Sequence, residues 1–193
     1  MEHMLGTSMA TARILTDAGP AFLKAKGNPQ GPHHLACEWV GTQLAAWLGL
    51  PTLPFVLLQI DQAVDEIPFL HGGFASSGTA FVTQATSGHS RGGSLEELES
   101  LVNPEAISHL VLFDTWIRNS DRYPPPSSVR KPNYDNVFLA DVHNSERGTL
   151  KLPAIDHTHC LCGPDGLNGK VASIDRIKDE ELYDLFRGFS TKV

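Results

Sequence analysis

Phe113–Arg122 (FDTWIRNSDR), Asn133–Leu139 (NYDNVFL) and Leu152–His157 (LPAIDH) are the stretches from which the rest of this chain can be read. In the first, an apolar helical run delivers Asp121 into a loop. In the second, Asn136 stands directly before the short apolar strand Val137-Phe138-Leu139, and in the third another apolar run ends in Asp156. A carboxylate, an amide and a second carboxylate are thus presented in turn at the ends of regular elements, where rigid scaffolds place working side chains.

Working outward, Asn103 is expected to cap a helix with Pro104 at its first position and Glu105 in its first turn, running to about Arg118. Ile107, Leu110, Val111, Phe113 and Ile117 form its apolar face, and Asp114, between apolar neighbours, either supports the following loop or faces solvent. Val137–Ala140 and Thr149–Ile155 read as two strands of a hairpin around a polar turn. Upstream, Arg13–Leu15 and Ala21–Ala25 flank the turn-forming Asp17-Ala18-Gly19-Pro20 and predict a β-hairpin ending near Lys24. A Gly/Pro linker, 27–32, leads to a helix over His33–Leu48 with Ala36, Val40, Leu44, Trp47 and Leu48 as its apolar positions, stopped by Gly49 and Pro51. Phe55–Ile60 and Thr79–Gln84 read as strands, Ser87–Ser94 as a flexible connection, Leu95–Leu101 as a short helix and Ile174–Phe189 as a further helical pattern. The Pro/Ser-rich 124–132 segment reads as an exposed loop.

Bulk composition narrows the class. With 193 residues, 41% hydrophobic and 19% charged, the chain has enough apolar surface for a core of one domain or two joined lobes. A formal net charge of −7 disfavours a dedicated duplex nucleic-acid binder, which needs clustered cations for phosphates. The longest apolar runs, such as Phe55–Leu58, fall far below the roughly 20 residues of a membrane span. Three cysteines, Cys37, Cys160 and Cys162, with no secretory pattern at the N-terminus, place the expectation in a reducing cytoplasm.

The polar residues at element ends suit one chemistry in particular. Transfer of a γ-phosphoryl group needs a cation on the nucleotide phosphates, oxygen ligands for magnesium and a carboxylate that orients the acceptor hydroxyl. Lys24 ends the second strand, and Glu38, on the next helix, is spaced to pair with it. Asp121 follows the long helix as the candidate base, while Asn136 and Asp156 are the candidate metal ligands. Asn133 is a rival to Asn136, which is preferred because it directly precedes the strand. Fifteen positions separate Asp121 from Asn136, so the Pro-rich insert has to bulge outward if both side chains are to face one metal.

Gly6-Thr7-Ser8, the Lys24–Gly31 segment (KAKGNPQG), Glu38, Leu48-Gly49-Leu50-Pro51, Asn119-Ser120-Asp121-Arg122 and Ile155-Asp156-His157 together resemble the HipA-like kinases. The likeness runs from about residue 6 to 160 and is nearest to compact variants without an added N-terminal domain. More distantly the chain is similar to phosphatidylinositol 3- and 4-kinases. The resemblance implies an α+β, two-lobed protein-kinase-like fold, with an antiparallel-sheet N-lobe over residues 1–86 and a small, mainly helical C-lobe over 87–193. It implies Mg-ATP as cofactor, a protein Ser or Thr as acceptor, Lys24 as the nucleotide lysine with Glu38 as its partner, Asp121 as catalytic base, and Asn136 with Asp156 on the metal.

Plainer readings stand beside these. Glu38 taken alone is an exposed helix residue, Asn136 a turn residue, and the three tryptophans core or interface residues. His157, His159, Cys160 and Cys162 crowd too closely to wrap one tetrahedral zinc. At the level of function the alternatives are a nucleotide-binding pseudokinase acting through a partner protein, and a lipid or small-molecule kinase.

Overall fold

The computed structural model describes residues 11–29, 31–61, 67–119, 121–122, 133–143 and 149–161. Gly6-Thr7-Ser8, Gln30, the 124–132 insert, Cys162 and the 174–189 helical pattern lie outside the described residues. Strands β1 (Thr11–Thr16) and β2 (Gly19–Lys24) are joined through Asp17 and Ala18, with Gly19 at φ 108°, a conformation open to glycine because it has no Cβ. With β3 (Phe55–Ile60) and β4 (Gly78–Gln84) they make an antiparallel sheet in the order β1-β2-β4-β3. Successive side chains on a strand face opposite ways. Ala21 and Leu23 of β2 and Ala80 and Val82 of β4 therefore enter one core, together with Ala12, Ile60 and Phe69. Phe22 and Lys24 stand on the other face.

Helix α1 (His33–Trp47) lies on that other face, with Trp39 packed edge-on to Phe55 and Phe81. Its span agrees with the periodicity, but its buried face does not. Val40, Trp47 and Leu48 are exposed, and the buried residues are His34, Cys37, Glu38, Gly41, Thr42 and Ala45. Small residues are needed there: a Cβ on Gly41 would meet the His157 Cβ at 2.4 Å.

Beyond β4 the chain builds a second antiparallel sheet, ordered β5-β6-β7, from β5 (Gly88–Ser90), β6 (Phe138–Asp141) and β7 (Leu150–Lys151). β5 replaces the flexible connection expected over Ser87–Ser94. Gly88, His89 and Ser90 offer no apolar alternation, and backbone pairing to β6 makes the strand. A Cβ at Gly88 would lie 2.2 Å from the Leu139 carbonyl, so the pairing itself requires glycine. β7 is shorter than the expected 149–155 because Pro153 has no N–H for a ladder and Ala154 instead donates to the Pro51 carbonyl at 2.7 Å.

Short α2 (Leu95–Glu99) starts with a capping box of Ser94 and Glu97. Long α3 (Glu105–Ile117) buries Ile107, Leu110, Val111, Phe113 and Ile117, the face its periodicity predicted. Asn103 does not cap it. The Asn103 amide instead exchanges two 3.0 Å hydrogen bonds with the backbone of Leu152, and Pro104 occupies the capping position. α3 packs with Leu98, Leu139, Leu152 and Cys37 in a second core. The class is thus α+β with antiparallel sheets.

Candidate functional site

Strand β2 places Lys24 on the α1 side of its sheet, and α1 brings Glu38 to meet it: Lys24 Nζ lies 3.0 Å from Glu38 Oε2. The same ammonium lies 3.2 Å from Asp156 Oδ1, bridging chain positions 132 residues apart. Glu38 Oε2 also accepts the His157 backbone N–H at 3.1 Å, and Thr158 Oγ1 donates to Asp156 Oδ1. Glu38 is 3% exposed, which overturns its reading as a solvated helix residue.

Electrostatics follow from this burial. Burial opposes the Lys24 charge, but Asp156 and then Glu38 outweigh it and hold its pKa above the ordinary lysine value. Burial likewise opposes ionisation of Asp156, yet Lys24 and the Thr158 hydroxyl prevail and hold the carboxyl well below the usual range. Glu38 moves the other way: burial raises it, and Lys24 offsets only part of that rise. Asp156 is therefore the firmer counter-ion. His157, buried and beside Arg122, is depressed to about 3 and stays neutral.

Asp121 follows the left-handed cap Arg118 of α3 and receives two amides on one oxygen. Asn136 Nδ2 donates to Asp121 Oδ2 at 2.8 Å and Asn133 Nδ2 at 3.3 Å, while His159 Nε2 lies 4.0 Å away. Asn136 ends the 3-10 turn Tyr134–Asn136 just before β6. The backbone N–H of Asn133 donates to the Arg122 carbonyl at 3.0 Å, so the two ends of the long insert are held together.

Lys24, Glu38, Asn136 and Asp156 line one cleft that is open to solvent on one side. Its apolar walls include Phe22, Leu53, Phe138 and Ile155. Asp121 reaches this group through its bond to Asn136. The structure thus brings together the side chains that the sequence singled out, with Asn136 rather than Asn133 on the cleft wall.

A family model described as HipA-like kinase matches residues 16–157, a span that includes Lys24, Glu38, Asp121, Asn136 and Asp156. The chain belongs to the HipA-like kinase family. Family membership makes it kinase-related, and comparison with curated proteins gave no match. No helix among the described residues of this HipA-like protein is long and apolar enough to cross a membrane.

Sequence reasoning quoted Asn119 and Arg122 as part of a motif without giving them work to do, and it left Asp114 undecided. The structure buries all three. Arg122 Nε donates to Asp114 Oδ2 at 2.6 Å, Nη2 to the Ile155 carbonyl at 2.7 Å, and Nη1 to the Asn136 carbonyl. Asn119 Nδ2 donates to Asp114 Oδ1 and to the Asp156 carbonyl, each at 3.2 Å. Burial raises the Asp114 carboxyl although Arg122 pulls it down. Asp114 therefore supports the loop. The signal available beforehand was charge: a guanidinium next to Asp121 and a carboxylate on a buried helix face need each other.

Phe22 and Phe138 were also passed over as site residues, because an aromatic on a strand reads first as core. The two described cysteines, Cys37 and Cys160, are buried thiols that each donate to the other's carbonyl at 3.3 Å, tying α1 to the chain beyond Asp156.

Proposed function

We propose that this HipA-like protein is an ATP-dependent phosphotransferase acting on a hydroxyl, with a protein Ser or Thr as acceptor. The observation that carries the reading is the bridge made by Lys24 to Glu38 and Asp156 in a cleft shared with Asn136. The apolar walls of Phe22, Leu53, Phe138 and Ile155 suit a nucleotide base, and the ammonium of Lys24 suits its phosphates. The acceptor class rests on the likeness to HipA-like kinases.

Magnesium fits the donors present. Asn136 uses its Nδ2 on Asp121 and Asp156 uses Oδ1 on Lys24 and Thr158, which among the described residues leaves Asn136 Oδ1 and Asp156 Oδ2 for a cation. Two hard oxygens on one cleft match an ion that takes one or two protein ligands and completes its shell with phosphate and water. Bound there, the ion would neutralise charge on the transferring phosphoryl group.

In this reading Asp121, oriented by the amides of Asn133 and Asn136, accepts the acceptor hydroxyl's proton as its oxygen bonds the γ-phosphorus and the bond to ADP breaks. We further read the chain as two lobes divided near residue 86, because β4 ends the first sheet at Gln84 and β5 opens the second at Gly88. A cytoplasmic setting agrees with Cys160 as a buried thiol, its Sγ–H donating to the Cys37 carbonyl.

The test is ATP binding by calorimetry with magnesium, followed by phosphate transfer from labelled ATP to a protein panel. Asp121→Ala is expected to keep nucleotide binding and to lose about 10²- to 10⁴-fold in transfer rate. Absence of nucleotide binding by the wild-type chain would sink the reading. Transfer to lipid alone would correct the acceptor, and binding without transfer to any acceptor would make the protein a pseudokinase.

A further inference from the structure

We infer that the buried trio Asp114, Arg122 and Asn119 is a positioning bracket that sets metal affinity, by holding the backbones of both ligand-bearing segments in one relation. The inference rests on the proposed roles of Asn136 and Asp156. Arg122 is 2% exposed, and its three donor nitrogens go three ways: to the α3 carboxylate of Asp114, to the carbonyl of Asn136 and to the carbonyl of Ile155. Asn119 extends the same anchor from the other oxygen of Asp114 to the carbonyl of Asp156. Every bond to the ligand segments is made to backbone, so the bracket leaves the ligand side chains to the cleft.

Two features make such a bracket necessary. Asn136 follows Asp121 by fifteen positions, so chain continuity alone does not fix its distance from Asp156. Asp156 has φ 54°, in the left-handed region that a residue with a Cβ enters at a cost, and the surrounding bonds hold it there. Outer groups that orient metal ligands typically govern affinity by 10- to 100-fold or about that.

The experiment uses the full chain and titrates Mn²⁺, as a spectroscopic substitute for magnesium, in the presence of a non-hydrolysable ATP analogue. Analogue binding is measured separately without metal, and folding by circular dichroism. Arg122→Lys keeps the charge beside Asp114 but cannot span three acceptors, and Asn119→Ala removes the second arm alone. Mn²⁺ affinity is expected to fall roughly 10- to 100-fold in Arg122→Lys and less in Asn119→Ala, with metal-free analogue binding unchanged. A purely structural role would weaken both kinds of binding together, and that outcome would overturn the bracket.

Wild-type Mn²⁺ affinity in a folded Arg122→Lys would also overturn it. Should Arg122→Lys fail to fold, Asn119→Ala decides by the same criterion. Failure of the wild-type chain to bind Mn²⁺ with the analogue would refute the underlying metal reading instead, and is distinguished by that control.

Discussion

Helices α1 and α3 are of similar length and both reach the interior, yet they bury opposite kinds of surface. α3 turns inward the stripe of Ile107, Leu110, Val111, Phe113 and Ile117, as a helix does when its task is to close a core. α1 turns inward a histidine, a cysteine, a glutamate, a glycine, a threonine and an alanine, and leaves Trp47 76% exposed. The difference teaches that burial on α1 is set by what must meet it: Lys24 at Glu38, and His157 at Gly41. A hydrophobic period locates a packing helix well. It misorients a helix whose inner face belongs to a site.

The contrast can be broken by mutation, first where the effect is greatest. Leu110→Ala on α3 should cost about 2–5 kcal/mol of unfolding free energy, the range for cavities in a packed core. Nucleotide affinity of the molecules that remain folded should be unchanged. Urea denaturation with calorimetry on the same sample measures both, and a strong loss of affinity would mean that α3 is part of the site after all.

A smaller and opposite signature is expected for Gly41→Ala on α1. Alanine favours a helix over glycine by about 1 kcal/mol, but the new methyl overlaps His157, and overpacking typically costs about 1–3 kcal/mol. Net destabilisation is expected, together with weaker nucleotide binding, because His157 sits next to Asp156 and its N–H is held by Glu38. A gain in stability with unaltered binding would show that α1 packs as loosely as any surface helix.

The smallest effect belongs to α2, outside both helices. Glu97 accepts backbone N–H groups of Gly92, Gly93 and Ser94. Burial raises its pKa, but these bonds and His89 together prevail and hold it below the ordinary glutamate value. A depressed carboxyl stabilises the fold above its unfolded pKa, and that contribution is lost as pH falls through the folded value. Glu97→Gln should therefore be less stable than wild type by about 0.5–1 kcal/mol at neutral pH, discounted for solvent contact. The gap should narrow in denaturation curves as pH falls through the folded-state value of Glu97, below the ordinary glutamate range. An equal gap at neutral and at acid pH would assign the effect to packing.

Much of the scaffold was legible locally. The turn within Asp17–Pro20, the α3 stripe, and the strands expected at 55–60 and 79–84 follow from residue types acting over a few neighbours. Where local rules failed, a distant partner had intervened. Asn103 looked like a cap and became a mimic of strand pairing to Leu152, and Gly88–Ser90 looked shapeless until β6 offered an edge.

The site divides along the same line. Lys24, Asp121, Asn136 and Asp156 could be picked out because each stands at or just beyond the end of an element, and Glu38 because it lies fourteen residues after Lys24 on the next helix. Arg122 and Asp114 could be suspected only as a charge pair, since nothing local says which carbonyls a guanidinium will find.

Residue order alone therefore determined most of the series of strands and helices, β5 excepted, and the presence of Asp121, Asn136 and Asp156 at element ends. Only the tertiary structure decided which side of α1 is buried and that one guanidinium holds the Asn136 and Ile155 carbonyls together. The reason is range. Propensity and periodicity act over a few residues, whereas the Lys24–Asp156 bridge closes across 132 and exists only when both sheets and α1 are in place.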